Sequence, residues 1–285
     1  MPPEVRATHY GNTATACMDS FGPGVIVVFR IATWNLQRPR TTCAQRIPYI
    51  LTRLHDVDAA VWVLTETNSV IDLSTTHSPI VSPAVQTLHC PGENWTTIWS
   101  RYPAKAVQTI DPTVAVCAEI DTPDGQWIVY GTVLPYHADR GQSGCEINWS
   151  EHYRVISLQG EDWRSLRGRF PDHRFCVAGD FNQSRDGLRW PWGQYYGTEM
   201  GRELLTAELD RTRLKCVTEV NLLAERKLTT RSTIDHICVD LDSASRVQCV
   251  NAWEAGCGDG VPLSDHSGIS IDIVAELIAV TDDRT

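Results

Sequence analysis

The segment Arg174 to Ser184, RFCVAGDFNQS, runs from apolar residues straight into a glycine, a carboxylate, an aromatic ring and a carboxamide. A buried strand that ends on Asp180 and Asn182 loses stability unless those groups find partners. Groups of the same kind stand at the ends of the other apolar runs. Asn35 closes ATWN, Glu66 closes VLTE and His137 closes GTVLPYH. Asp235 opens IDHICVD, and Asp265 with His266 (SDH) stands just ahead of the last run. α/β folds collect catalytic groups at the edges of their sheets. Gathered there, these ends supply the carboxylates Glu66, Asp180, Asp235 and Asp265, the carboxamides Asn35 and Asn182, and the imidazoles of His137 and His266. Carboxylates crowded into a cleft raise one another's pKa unless a cation joins them. An oxygen-rich donor set with no cysteine and few histidines suits Mg²⁺ or Mn²⁺ better than zinc. A hard divalent ion beside imidazoles is equipment for cleaving phosphate esters.

The elements that must position these groups are legible in the apolar patterning. VIVVFRIATWN, AAVWVLTE, QWIVYGTVLPYH, the Arg174–Ser184 segment, STIDHICVDL and SDHSGISIDIV read as strands. TTIWSRYP and TVAVCAEID read as a consecutive pair, and Asp124-Gly125 signals a turn. Ile47, Ile50, Leu51 and Leu54 recur at helical spacing, with Pro48 near the helix start or kinking it. Ser150 can cap a helix through Ile156 and Trp163 to Leu166, and Thr198 one carrying Met200, Leu204, Leu205 and Leu209. Residues 1–24 lack apolar periodicity and read as an extension, ahead of one domain over residues 25–280.

Apolar residues make up 42% of the 285 and charged residues 21%, the composition of a soluble globular chain. No apolar run reaches the roughly 20 residues of a membrane span, and VIVVF is too short for a signal segment. A cytosolic, membrane-free protein with no obligate protein partner is expected. The cysteines form no CxxC pair; Cys117, Cys176 and Cys238 fall within apolar runs, where reduced thiols act as small hydrophobes. The formal charge of −10 argues against a broad electrostatic grip on nucleic acid but leaves room for a local basic path.

In this order, TWN, LTE, LPYH, GDFN, IDH and SDH resemble the endonuclease/exonuclease/phosphatase superfamily. That group includes pancreatic-type deoxyribonuclease, AP endonucleases, inositol polyphosphate phosphatases and neutral sphingomyelinases. GDFN alone is moderately specific and SDH alone is weak; the ordered set, spanning about Val25 to Ile273, carries the resemblance. It implies an α/β four-layer sandwich: two mixed β-sheets face to face, with helices on both outer sides. It implies Glu66 as principal ligand of Mg²⁺ or Mn²⁺, assisted by Asn35 and Asp265. Asp180 would orient or deprotonate the attacking water, and Asn182 would hold the phosphate or that water. Asp235 would pair with His266 and favour its charged form. His137 would act as general acid or contact the phosphate, with Asp139 and Glu119 as candidate partners. The implied reaction is attack of metal-activated water on phosphorus. The chain departs from the family in having Thr65, where glutamine is common, before Glu66.

Single residues of this set have plainer explanations, since Asn and Asp favour turns. Strand alternation turns His236 away from Asp235, which assigns His236 a structural role. The loop after GDFN interleaves Trp190, Trp192, Tyr195 and Tyr196 with Arg185 and Arg189. Such a loop suits base stacking and a backbone clamp, and equally suits a hydrophobic lid. The leading expectation is a nuclease on DNA or RNA. The alternatives are a phosphatase or phosphodiesterase on a small or lipid-derived phosphate (inositol phosphate or sphingomyelin-like), and a non-catalytic binding member of the fold.

Overall fold

The computed structural model describes residues 28–40, 45–86, 88–141, 143–186, 196–256 and 260–275; the expected extension, residues 1–24, lies outside them. In chain order the first elements are β1 (Val28–Asn35), α1 (Arg46–Val57), β2 (Val61–Asn68), β3 (Ser78–Val81), β4 (Glu93–Ser100) and β5 (Ala104–Val107). They are followed by β6 (Val116–Thr122), β7 (Gly125–Val133), α2 (Ser150–Arg169), β8 (Arg174–Asp180) and α3 (Glu199–Arg211). β9 (Leu214–Cys216), β10 (Asp235–Asp240), α4 (Leu241–Ser245), β11 (Val247–Trp253) and β12 (Gly268–Val274) complete the order.

The strands form two six-stranded mixed sheets, ordered β11-β12-β1-β2-β4-β3 and β5-β6-β7-β8-β10-β9. Each is built around one parallel pair, β1/β2 or β7/β8, and every other pairing is antiparallel. A parallel pair needs a long crossover, and α1 and α2 supply the two. β4 and β6, read from the sequence as consecutive strands, are separated by the short β5 and belong to different sheets.

Side-chain alternation divides the core into three layers. Ile31, Val63, Val129, Ala178, Ile237 and Ile271 meet between the sheets. Ile50 and Leu54 of α1 pack with Trp34, Trp62 and Leu64 on the outer face of the first sheet. Val155, Ile156 and Trp163 of α2, with Leu205 and Leu209 of α3, cover Tyr130, Phe175 and Val177 of the second. The four-layer sandwich follows. Pro48 sits in the first turn of α1, where its missing N–H has no intrahelical role. Thr198 caps α3 by accepting from Gly201 N at 3.0 Å. Ser150 does not cap α2: Trp149, left-handed at φ 71°, holds that position, its N–H donated to His137 O at 3.1 Å.

This topology collects strand ends. β12 runs antiparallel to β1, with Thr33 opposite Ile269, so its start lies beside the end of β1. β10 runs antiparallel to β8, with Asp235 directly opposite Asp180. Period-two alternation carries Asn35, Asp180 and Asp235 onto the same inter-sheet face as Thr33, Ala178 and Ile237. Gly179, φ +140°, makes the approach possible: a Cβ there would lie 1.9 Å from Thr132 O. Gly179→Ala is therefore expected to cost about 2–5 kcal/mol in urea unfolding, from backbone strain plus the clash. An unchanged midpoint would show that the strand can shift.

Candidate active site

Asp180, at the end of β8, is the hub. Its Oδ1 accepts from Asn182 N at 2.8 Å, and its Oδ2 accepts from Asn35 Nδ2 at 3.0 Å and Asn182 Nδ2 at 3.2 Å. Asn182 Nδ2 also donates to Leu134 O at 2.9 Å, which fixes the loop against the end of β7. Asn35 Nδ2 reaches Glu66 Oε1 at 3.3 Å, so one amide spans two carboxylates from opposite sheets. The Asn35 Oδ1 accepts from Gln37 N at 2.9 Å, which fixes the amide's orientation. Glu66 has φ 45° and Asn182 φ 47°. Left-handed backbone at non-glycine residues is costly and clusters at functional sites.

Asp235 and His266 meet from β10 and the turn before β12. His266 Nδ1 lies 2.6 Å from Asp235 Oδ2, and Nε2 lies 4.0 Å from Asp180 Oδ2 and 3.9 Å from Asp265 Oδ1. The turn is set by Ser264, whose hydroxyl donates to Asn35 O at 2.6 Å and accepts from His266 N at 3.0 Å. Trp34 Nε1 donates to His266 O at 2.8 Å. Thus the backbone on both sides of His266 is tied to β1.

Burial pushes the Asp180 carboxyl up; the positive His266 opposes this, while Asp235 and Glu66 add to it, and the result is about 7. Burial alone would lower the His266 imidazole, but Asp235 and Asp180 outweigh it and raise it to about 10. Two neighbouring groups are thereby pushed to opposite roles near neutral pH, a retained imidazolium and a carboxyl poised to give or take a proton.

Glu66, Asp180, Asn182, Asp265 and His266 open onto one cavity of about 350 Å³, while Asn35 and Asp235 lie buried beneath it. Its walls include aromatic rings, Trp95, Tyr136 and Tyr196, and two arginines, Arg38 and Arg231. Arg38 stacks 4.3 Å over the Trp95 ring, with Nε 3.3 Å from Glu66 Oε2. Sequence reading missed Arg38, although WNLQR places a cation three residues beyond Asn35. It also missed Trp95, which lies across the ladder from Glu66, between the rungs Thr65–Thr96 and Thr67–Asn94.

Three expectations need correction or restriction. β7 closes at Val133, so His137 does not end a strand; it is exposed, against Tyr136, Trp149 and Tyr196, and off the cavity wall. Its suggested partners are engaged elsewhere, Glu119 with His173 at 3.4 Å and Asp139 with Gly141 N at 2.9 Å. Arg185 turns inward, to Glu219 Oε2 at 3.0 Å and Thr206 Oγ1 at 3.1 Å. Arg189, Trp190, Trp192 and Tyr195 lie outside the described residues. His236 is fully buried, bonded to Gln183 O at 3.0 Å and Thr218 Oγ1 at 3.1 Å.

The donor set suits a hard cation. Asp180 and Asp235 bring oxygens within 4.8 Å of one another, and Asp235 Oδ1 is buried with no hydrogen-bond partner; His266, charged beside them, has no lone pair to give an ion. Glu66 and Asp265 add carboxylate oxygens on the open side of the cavity. Among the described residues, no helix is long and apolar enough to cross a membrane.

The sequence matches no protein-family model and no curated protein. Solved structures share its fold. An AP endonuclease from Leishmania major aligns with a TM-score of 0.66 at 14% identity, over 87% of this chain and 88% of that one. An AP endonuclease from Archaeoglobus fulgidus gives 0.62 at 14% identity, over 86% and 99% of the two chains. A 3′–5′ exonuclease from Neisseria meningitidis gives 0.61 at 17% identity, over 86% and 100%. At such identities the likeness shows the fold alone: the chain shares the architecture of these AP endonucleases and this exonuclease.

Proposed function

We propose that this chain is a divalent-metal-dependent phosphodiester hydrolase acting on nucleic acid. The observation that carries the reading is the meeting of Asp180 with a His266 held charged by Asp235, in a cavity that Glu66 and Asp265 also line. The fold's appearance in AP endonucleases and an exonuclease supports a DNA or RNA substrate. Glu66, Asn35 and Asp265 would hold Mg²⁺ or Mn²⁺. Such an ion, when bound, supplies positive charge to phosphoryl oxygens and makes water more acidic.

The chain's own residues do the rest. Asp180, fixed by Asn35 and Asn182, accepts the proton of the attacking water. His266 Nε2 presents an N–H to the oxygen that gains charge, and Asp235 keeps that N–H in place. Asn182 positions the phosphate or the water beside Asp180. Arg38, flattened on Trp95, offers a planar fork of donors to a second phosphate oxygen. Tyr196, on the cavity wall, offers its ring to a neighbouring nucleotide. His137, off the wall, has no assigned proton transfer.

Incubation with Mg²⁺ and plasmid, single-stranded DNA, RNA and phosphoinositide substrates, with a chelator control, tests the reading. Turnover restricted to phosphoinositides would overturn the nucleic-acid assignment, and no turnover at all would favour a binding protein. Arg38→Ala is expected to lower kcat/KM on the cleaved polymer about 10- to 100-fold, the worth of a charged hydrogen bond. Arg38→Lys should recover only part of that loss, because it restores charge without the fork.

A further inference from the structure

β9 and β10 set two cysteines face to face. Cys216 pairs with Cys238 in the antiparallel ladder, and one residue further Val217 N donates to Ile237 O at 3.1 Å. The 217/237 pair is thus the hydrogen-bonded rung and 216/238 a non-hydrogen-bonded one, where opposed Cα atoms come closest, at about 4.5 Å. A disulfide needs Cα atoms roughly 4.4–6.8 Å apart. The strands therefore place this pair within bonding reach without moving. The two thiols lie on the outer face of the sheet, beneath α3.

Cys216 is 7% exposed and Cys238 fully buried, yet their face of the sheet also carries polar and cationic groups. Alternation puts His236 on the face of Cys238, and Thr218 Oγ1 links its Nδ1, at 3.1 Å, to Cys216 Sγ, at 3.6 Å. The Arg185 guanidinium is buried beside them; Nε and Nη2 serve Glu219 and Thr206, while Nη1 is buried without a hydrogen-bond partner. Cationic neighbours of this kind turn a thiol into a reactive thiolate. Burial opposes ionisation of Cys216, but the facing Cys238 thiol and the charges of His236 and Arg185 bring it well below a free thiol. Cys176, on neighbouring β8, lacks such company and is pushed up by burial.

We propose that Cys216 and Cys238 are a hydroperoxide-reactive thiol pair that closes to a cross-strand disulfide behind the strands carrying Asp180 and Asp235. The Cys216 thiolate attacks one peroxide oxygen, the O–O bond breaks, and the departing hydroxide takes up a proton, leaving a sulfenic acid. The Cys238 sulfur attacks that sulfur, the S–O bond breaks, and the released hydroxide leaves as water with the Cys238 proton. Each sulfur gives up one electron, and the peroxide is reduced to two waters.

The full chain, reduced and freed of reductant, is treated with hydrogen peroxide; remaining thiols are alkylated in denaturant and the protein is digested without reduction for mass spectrometry. A Cys216–Cys238 linkage, reversed by dithiothreitol and formed about tenfold faster than exposed Cys145 oxidises, is expected. Cys238→Ser should leave a sulfenic acid at Cys216 that a cyclic dione traps, whereas Cys216→Ser should give no adduct at Cys238. Recovery of both cysteines as free alkylated thiols after Cys90 and Cys145 have reacted would overturn the proposal. That outcome is read on the unsubstituted protein, so it holds whether or not the serine variants fold.

Discussion

Glu66→Gln is expected to lower kcat/KM at a fixed, subsaturating Mg²⁺ by about 10³-fold or more while leaving the protein folded, since ion-borne charge stabilisation amounts to several kcal/mol and each 1.36 kcal/mol is tenfold. The substitution preserves shape and keeps an oxygen for Asn35 Nδ2, now at 3.3 Å. It removes a full negative charge from the open side of the cavity. Folding should be little affected, because the Glu66 side chain is partly exposed and its 3.3 Å pairing with Arg38 Nε is a partly solvated one. Relief of crowding offsets some of that loss: Glu66 is one of the groups that raise Asp180, so Asp180 should titrate lower in the variant. Two measurements separate anchoring from structure. The Mg²⁺ concentration for half-maximal rate should rise steeply, and circular dichroism with thermal unfolding should stay close to the unsubstituted protein. Turnover at the normal rate and normal Mg²⁺ demand would remove Glu66 from the ion's coordination.

What the sequence disclosed, and what it withheld, follows from burial. The long central strands β1, β2, β7, β8, β10 and β12 are covered on both faces and read as continuous apolar runs, so their polar ends stood out. The four strands that escaped notice, β3, β5, β9 and β11, are the four sheet edges. SPIV, AKAV and LKC are short and carry Pro79, Lys105 and Lys215, devices that blunt an edge against stray pairing and erase the alternation that would reveal it. His137 was misplaced for a related reason. Leu134 and Pro135 extend the apolar character of β7, but Leu134 N already turns to Asp180 O, and the chain leaves the sheet. Arg38 was invisible because its importance is set by Trp95, 57 residues away, over which it stacks at 4.3 Å. Pairing of Asp235 with His266 was legible only through motif order; its 2.6 Å distance depends on two antiparallel registers that no local pattern encodes.

That pairing sets the other large effect. His266→Ala should lower kcat about 10²- to 10⁴-fold at saturating Mg²⁺, the range for a positioned proton donor or charge stabiliser. Loss of the ring also strips the buried Asp235 carboxylate of its cation, so some destabilisation will accompany the variant. His266→Gln keeps a donor without the charge and separates the two contributions: a comparable loss in both variants would assign the effect to charge. Asp235→Asn tests the arrangement through pH. His266 is raised to about 10, with burial opposing and Asp235 the leading favourable cause. Its charged form is therefore held up to alkaline pH and lost as pH climbs through the folded value. With Asp235 neutral, the alkaline limb of the rate profile should move to lower pH and the rate near neutrality should fall. An alkaline limb that stays in place in Asp235→Asn, or a rate unchanged in His266→Ala, would mean that the developing charge on the phosphate is met elsewhere. Arg38 and Arg231 are then the cations on the cavity wall to which that role would pass.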